Sequence, residues 1–199
     1  MNISIIGAGA IGTTIARILT GAGLPVALAN SRGPDSLAAL ADELGPLLTP
    51  VSVATAAQAD LVFLSVPWGK IPAAVEGLGP WGGRIVIDTN NPIEAPLFRP
   101  AELHGKASST VVQDLLPGAH VIKAFNHLQA SLLARAPADD GGRRVLFVAG
   151  DHADAKRTVL ALVEQLGFAG IDLGTLDGGG RLAQFPGGSL PTLNLVKFG

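Results

Sequence analysis

The chain has 199 residues, 48% hydrophobic and 15% charged, with a net charge of −2 and no cysteine. Such a length and apolar content describe a globular protein with a substantial core and not a disordered chain. The charge excludes a general binder of nucleic acid or of acidic membranes, and the lack of cysteine excludes disulfides, thiolate catalysis and thiolate metal sites.

The start, Met1 to Ser4, has no basic segment, and its apolar run passes straight into glycines. It reads as a first strand and not as a secretory leader. No apolar run of about 18 residues occurs, so no membrane span is expected and a cytoplasmic location follows by default.

Ile3 to Ile6 is followed by Gly7-Ala8-Gly9-Ala10-Ile11-Gly12 and then by a helix-forming stretch from Ile11 to Thr20. A G-x-G-x-x-G between strand and helix predicts a dinucleotide site. Gly7 allows the sharp turn, Gly9 the approach of a pyrophosphate, and Gly12 the close packing of helix on strand. The phosphates would meet free N–H groups and the positive end of the helix dipole.

Pro25 to Asn30 reads as the second parallel strand. An NAD-specific site places Asp or Glu after this strand to bind the ribose 2′-OH. Here the chain has Asn30-Ser31-Arg32. A hydroxyl and a guanidinium suit a 2′-phosphate, so NADP is preferred over NAD. The other reading of Arg32 is an ordinary exposed loop charge.

A helix from Ser36 to Leu44, an edge strand over 49–53 and a helical turn from Thr55 to Ala59 lead to Leu61–Val66, a near-continuous apolar run expected of a strand buried on both faces. Ligands of open α/β sheets lie beyond the carboxyl ends of the strands, which places Ser65, Val66, Pro67 and Trp68 at the cofactor. Trp68 would either stack on a ring or cap the core. A helix over Ile71–Leu78 and a strand over Arg84–Thr89 bring Asn90-Asn91-Pro92 to the same edge. The asparagines would bond a carboxamide or serve the turn before proline.

Residues 93–106 read as a loop able to cover a pocket, followed by a helix over Ser109–Leu116 and a strand over His120–Asn126. His127 stands beyond that strand end, where it would either handle a proton or be structural. The other histidines show no metal-ligand spacing, and no metal site is expected. A strand (Arg144–Ala149), a helix (Asp151–Leu166) and a short strand (Ile171–Leu173) complete the alternation. The expected fold is therefore α/β: a single Rossmann-type, doubly wound, mostly parallel domain over 1–199. Short C-terminal helices over 175–199 would complete the pocket or form an apolar homodimer face.

The glycine motif, Asn30-Ser31-Arg32, Val66-Pro67-Trp68, Asn90-Asn91-Pro92 and Pro117 to Asn126 occur in that order and together resemble the coenzyme F420-dependent NADP oxidoreductase family. The module is also similar to the oxidoreductase domain of metalloreductases, and Leu190–Phe198 to the ending of the family's archaeal reductases. The resemblance implies hydride transfer between NADP(H) and a deazaflavin or flavin such as F420, a small-molecule electron acceptor, with the protein positioning two rings. It implies Gly7, Gly9, Ala10, Ile11 and Gly12 at the pyrophosphate and Ser31 and Arg32 at the 2′-phosphate. Val66 and Pro67 would lie at the nicotinamide, with Asn90, Asn91 and Pro92 near it. Two departures are visible: Gly33-Pro34 follow the Ser-Arg pair where the family's reductases carry further basic residues, and Asn126-His127 replace the archaeal His-Thr. Two other functions fit the same residues. One is reduction of a small carbonyl or imine with His127 as proton donor; the other is a non-catalytic NADP(H) sensor.

Overall fold

The computed structural model describes all 199 residues. The first unit is β1 (Ile3–Ile6), α1 (Ala10–Gly21) and β2 (Val26–Ala29). A 3-10 turn at Pro34–Leu37 leads into α2 (Ala38–Leu44) and β3 (Leu48–Pro50), followed by α3 (Val53–Ala56) and β4 (Leu61–Leu64). A second 3-10 turn, Trp68–Lys70, opens α4 (Ile71–Val75), and β5 (Ile85–Asp88) follows. Next come a two-stranded ribbon of β6 (Ile93–Glu94) and β7 (Arg99–Pro100), then α5 (Ser108–Asp114) and β8 (His120–Lys123). The remainder holds α6 (Ala130–Leu133), β9 (Ala138–Asp139), β10 (Gly142–Gly150), α7 (Ala153–Gln165), β11 (Ala169–Asp172), α8 (Arg181–Ala183) and β12 (Val196–Lys197).

The main sheet runs in the order β11-β10-β8-β5-β4-β1-β2-β3. Every pairing from β3 to β8 is parallel, with Ile3 of β1 in register with Val26 on one side and Leu61 on the other. β10 reverses against β8, and β11 runs parallel to β10. The sheet thus grows outward from β1 in both directions, which creates the topological switch point between β1 and β4.

Strand periodicity explains the two core layers. Ile3, Ile5, Leu61 and Phe63 point into a cluster of 25 buried residues shared with α1 and α7. Ile6, Val62 and Leu64 point the other way, into a cluster of 16 that includes Ile71 and Val112. Helices cover both faces, so the strands read as unbroken apolar runs instead of alternating ones.

Several boundaries differ from the sequence reading. The segment 93–106 contains the β6–β7 ribbon. The strand expected to reach Asn126 ends at Lys123, because Phe125 takes φ +62°, the left-handed region that a bulky residue adopts only under tertiary constraint. Its buried ring is held edge-on by Phe63, with centroids 5.3 Å apart. Helical structure in the last segment stops at Ala183; beyond it the chain runs through turns to β12, which pairs antiparallel with β10.

Candidate dinucleotide site

The glycine loop lies at the switch point. Gly7 has φ +113°, and a Cβ there would sit 1.9 Å from the Ser65 carbonyl oxygen. A Cβ on Gly12 would sit 1.9 Å from the Gly7 oxygen. Both positions are glycine because α1 is pressed onto the ends of β1 and β4. Gly9 is different. Its φ of −82° and ψ of −171° are open to any residue, and a Cβ would meet nothing within 4 Å. No neighbouring protein atom requires a glycine there, whereas a ligand lying on the backbone would. Gly9 also caps α1 without a side-chain hydrogen bond, and no acidic residue occupies the first turn. That end of the helix presents free N–H groups to an anion.

The loop opens into a cleft of about 650 Å³, within the roughly 300–1,000 Å³ range of small-molecule sites. Gly7, Gly9, Asn30, Ser31, Arg32, Ser65, Val66 and Pro67 all line it. The structure therefore brings together the glycine loop, the ribose-reading slot and the end of β4. At that slot Asn30 is a scaffold: its Oδ1 accepts from the Arg32 N–H (2.9 Å) and its Nδ2 donates to Ser36 Oγ (2.9 Å). The Ser31 and Arg32 side chains are exposed, and Arg32 makes no ion pair.

The asparagines at the other end spend their amides inside the protein. Asn90 Oδ1 accepts from the Val66 N–H (3.0 Å), and Nδ2 donates to the Leu64 carbonyl (3.0 Å) and to Asp88 Oδ1 (2.9 Å). Asn91 Nδ2 donates to the Asn126 carbonyl, and Asn91 Oδ1 accepts from Asn126 Nδ2, both at 2.9 Å. Their side chains build the edge and are not free for a carboxamide. Neither they nor Pro92 and Trp68 line the cleft, and Trp68 packs half-buried on the second core cluster. Ala10 and Ile11 lie outside the lining as well, in the first turn of α1.

Beneath this edge lies a charged pair that sequence reading missed. Asp88 and Lys123 are both fully buried, 3.1 Å apart. Asp88 also accepts from Ser109 Oγ (2.6 Å) and from the Asn90 N–H (2.9 Å), and Lys123 donates to the Asn90 carbonyl. Burial pushes the Lys123 pKa below its usual value, and the Asp88 carboxylate opposes that shift. Charged residues inside two apolar strand runs were the available signal. Lys70, Glu76, Val53 and the small pair Ala73 and Ala74 also line the cleft without having been anticipated.

His127 is buried against Phe147, ring centroids 4.7 Å apart, and neither ring nitrogen has a hydrogen-bond partner. Burial pushes its pKa down to about 4, a shift only partly opposed by the nearby Val145 backbone. The ring is neutral at pH 7 and lies outside the cleft lining.

Residues 2–92 match the family model described as NADP oxidoreductase, coenzyme F420-dependent. A solved structure of a candidate F420-dependent NADP-reductase from Arthrobacter sp. FB24 superimposes with a TM-score of 0.74 at 29% identity, covering 88% of this chain and 86% of that one. Over residues 2–92, just under half of its length, the chain is similar to the coenzyme F420-dependent NADP oxidoreductase family. A hypothetical protein of Sinorhizobium meliloti shares the whole architecture, with a TM-score of 0.94 at 47% identity over 99% of this chain and 96% of that one. Metalloreductase STEAP3 of Rattus norvegicus is 26% identical over 96% of this chain, which spans 37% of the metalloreductase's length. The F420-dependent NADP oxidoreductase family is one of NAD(P)-dependent oxidoreductases. No helix here is long and apolar enough to cross a membrane.

Proposed function

We propose that this protein binds NADP(H) in the switch-point cleft and exchanges hydride with a deazaflavin or flavin acceptor such as F420. The observation that carries the proposal is the pairing, in one cleft, of a Gly9 open on its ligand side with an unpaired Arg32 at the ribose slot. The Gly7–Gly9 backbone and the start of α1 would hold the pyrophosphate, and Ser31 and Arg32 the 2′-phosphate. Val66 and Pro67 would flank the nicotinamide, held in place through Asn90 and the Asp88–Lys123 pair below it. When bound, the dinucleotide supplies the hydride; the chain supplies position.

The titratable residues lining the cleft are Arg32, Lys70 and Glu76. None is a histidine, and His127 is neutral and enclosed. The carbonyl or imine reading relies on His127 as proton donor, and that ring does not reach the cleft, whereas transfer between rings calls on the chain for position; this supports the flavin-type acceptor. We further propose a homodimer through the segment after α8, where Phe185, Leu193, Leu195 and Phe198 are exposed.

The test is a titration of NADPH and NADH against the wild type and Arg32→Ala, then NADPH oxidation followed by absorbance with F420 and FMN supplied separately. The expected result is about tenfold weaker NADPH binding in Arg32→Ala, NADH binding unchanged, and oxidation with one of the two acceptors. Equal weakening of both nucleotides would reject the 2′-phosphate assignment. Tight binding with no turnover on either acceptor would reject the acceptor class and favour a binding-only role.

A further inference from the structure

We infer that Lys70 is a second 2′-phosphate ligand, reaching from the entry to α4 to share that group with Arg32. The inference rests on the NADP(H) reading above and deepens it.

Three observations lead there. First, of the fourteen Lys and Arg residues, Arg32 and Lys70 both line the cleft, and neither forms an ion pair with any carboxylate. Most other cations are spent: Arg17 on Glu43, Lys106 on Asp114, Arg144 on Asp139, Lys156 on Asp172. Glu76 is the one carboxylate in the lining, and it reaches neither cation.

Second, the Arg32 loop cannot supply a further cation of its own. Gly33, at φ +88°, turns the chain into the 3-10 helix Pro34–Leu37, whose first turn carries Asp35. A 2′-phosphate is close to dianionic at neutral pH and offers three acceptor oxygens. A forked guanidinium satisfies two of them and the uncharged Ser31 hydroxyl the third, which leaves about one unit of negative charge for another cation.

Third, the position of Lys70 suits that task. It ends the 3-10 turn Trp68–Lys70 at the entry to α4, one helical turn before Ala74. Ala73, Ala74 and Val53 line the same cleft and leave room for a flat base between the α4 wall and the Arg32 loop. The pyrophosphate end already has the glycine loop and the N–H groups of α1. An exposed, flexible ammonium acts as a point charge and can follow the ribose phosphate without a fixed geometry.

The experiment compares the wild type, Lys70→Gln and Arg32→Ala by titration with NADPH, NADH and adenosine 2′,5′-bisphosphate. The last probe keeps the 2′-phosphate and lacks a pyrophosphate. Lys70 is exposed, so Lys70→Gln should fold as the wild type, and its melting curve checks this. The expected result is about tenfold weaker binding of NADPH and of the bisphosphate in Lys70→Gln, with NADH within twofold. Equal weakening of NADPH and NADH would place Lys70 on the pyrophosphate and overturn the inference, as would no change for any probe. Where the wild type prefers NADPH and only Arg32→Ala abolishes that preference, the Lys70 assignment alone fails. Equal wild-type affinity for NADPH and NADH would reject the 2′-phosphate site itself, and the Lys70 role with it.

Discussion

Burial decides the behaviour of His127. Between its folded value of about 4 and the ordinary 6.5, the unfolded chain takes up a proton that the folded chain refuses. Stability is therefore complete above pH 6.5 and declines as the pH falls towards 4, by on the order of 3 kcal/mol at the limit. Urea melts of the wild type and His127→Leu at pH 7 and pH 5 measure this. The variant is expected to lose less stability than the wild type between the two pH values. An identical loss in both would show that other groups set the acid sensitivity. The residue scale also separates the three glycines: Gly7 and Gly12 answer to neighbouring backbone, and Gly9 faces open space in the cleft.

At the scale of elements, one carboxylate joins four pieces of structure. Asp88 ends β5, accepts from Ser109 on α5 and Lys123 on β8, and reaches β4 through Asn90. Removing one member of a buried pair leaves the other uncompensated, which costs about 3–5 kcal/mol, whereas removing both charges together costs far less. Lys123→Met is expected to fall in that range by chemical denaturation, and Asp88→Asn combined with it to recover most of the loss. Additive losses in the double variant would show that the two groups are not energetically coupled. Strand and helix positions were legible in the chain because apolar runs and glycine or proline breaks mark them locally. The ends were less so. Phe125 leaves the strand because Phe63 holds its ring, and the helix from Ile71 stops at Val75 before Glu76 turns out of it. Those contacts come from residues distant in sequence or from local backbone choices that propensity does not separate.

At the scale of the molecule, the segment after α8 straps the far side of the sheet. Thr192 donates to the His127 carbonyl, Val145 to that of Leu195, and Arg144 Nε to Asn194 Oδ1. This strap encloses His127 while leaving Phe185 and Phe198 exposed. The proposed homodimer predicts twice the 20.2 kDa chain mass by light scattering at micromolar concentration. It further predicts the single-chain mass for a variant in which Phe185 and Phe198 are both serine. A wild-type monomer would reject the interface.

The sequence alone determined the α/β alternation, the glycine loop and a slot after β2 that holds Ser31 and Arg32 and no carboxylate. Each of these depends on residues close together in the chain: glycines between a strand and a helix, and Ser31-Arg32 with no carboxylate beside them. Only the tertiary structure decided what Asn90, Asn91 and His127 do, and which distant residues share the cleft. A side chain's partners across 20 or 100 residues leave no local periodicity to read. Thus an asparagine that could bond a ligand is consumed by Val66, a histidine that could carry a proton is sealed under Phe147, and Lys70 lines the same cleft as Arg32.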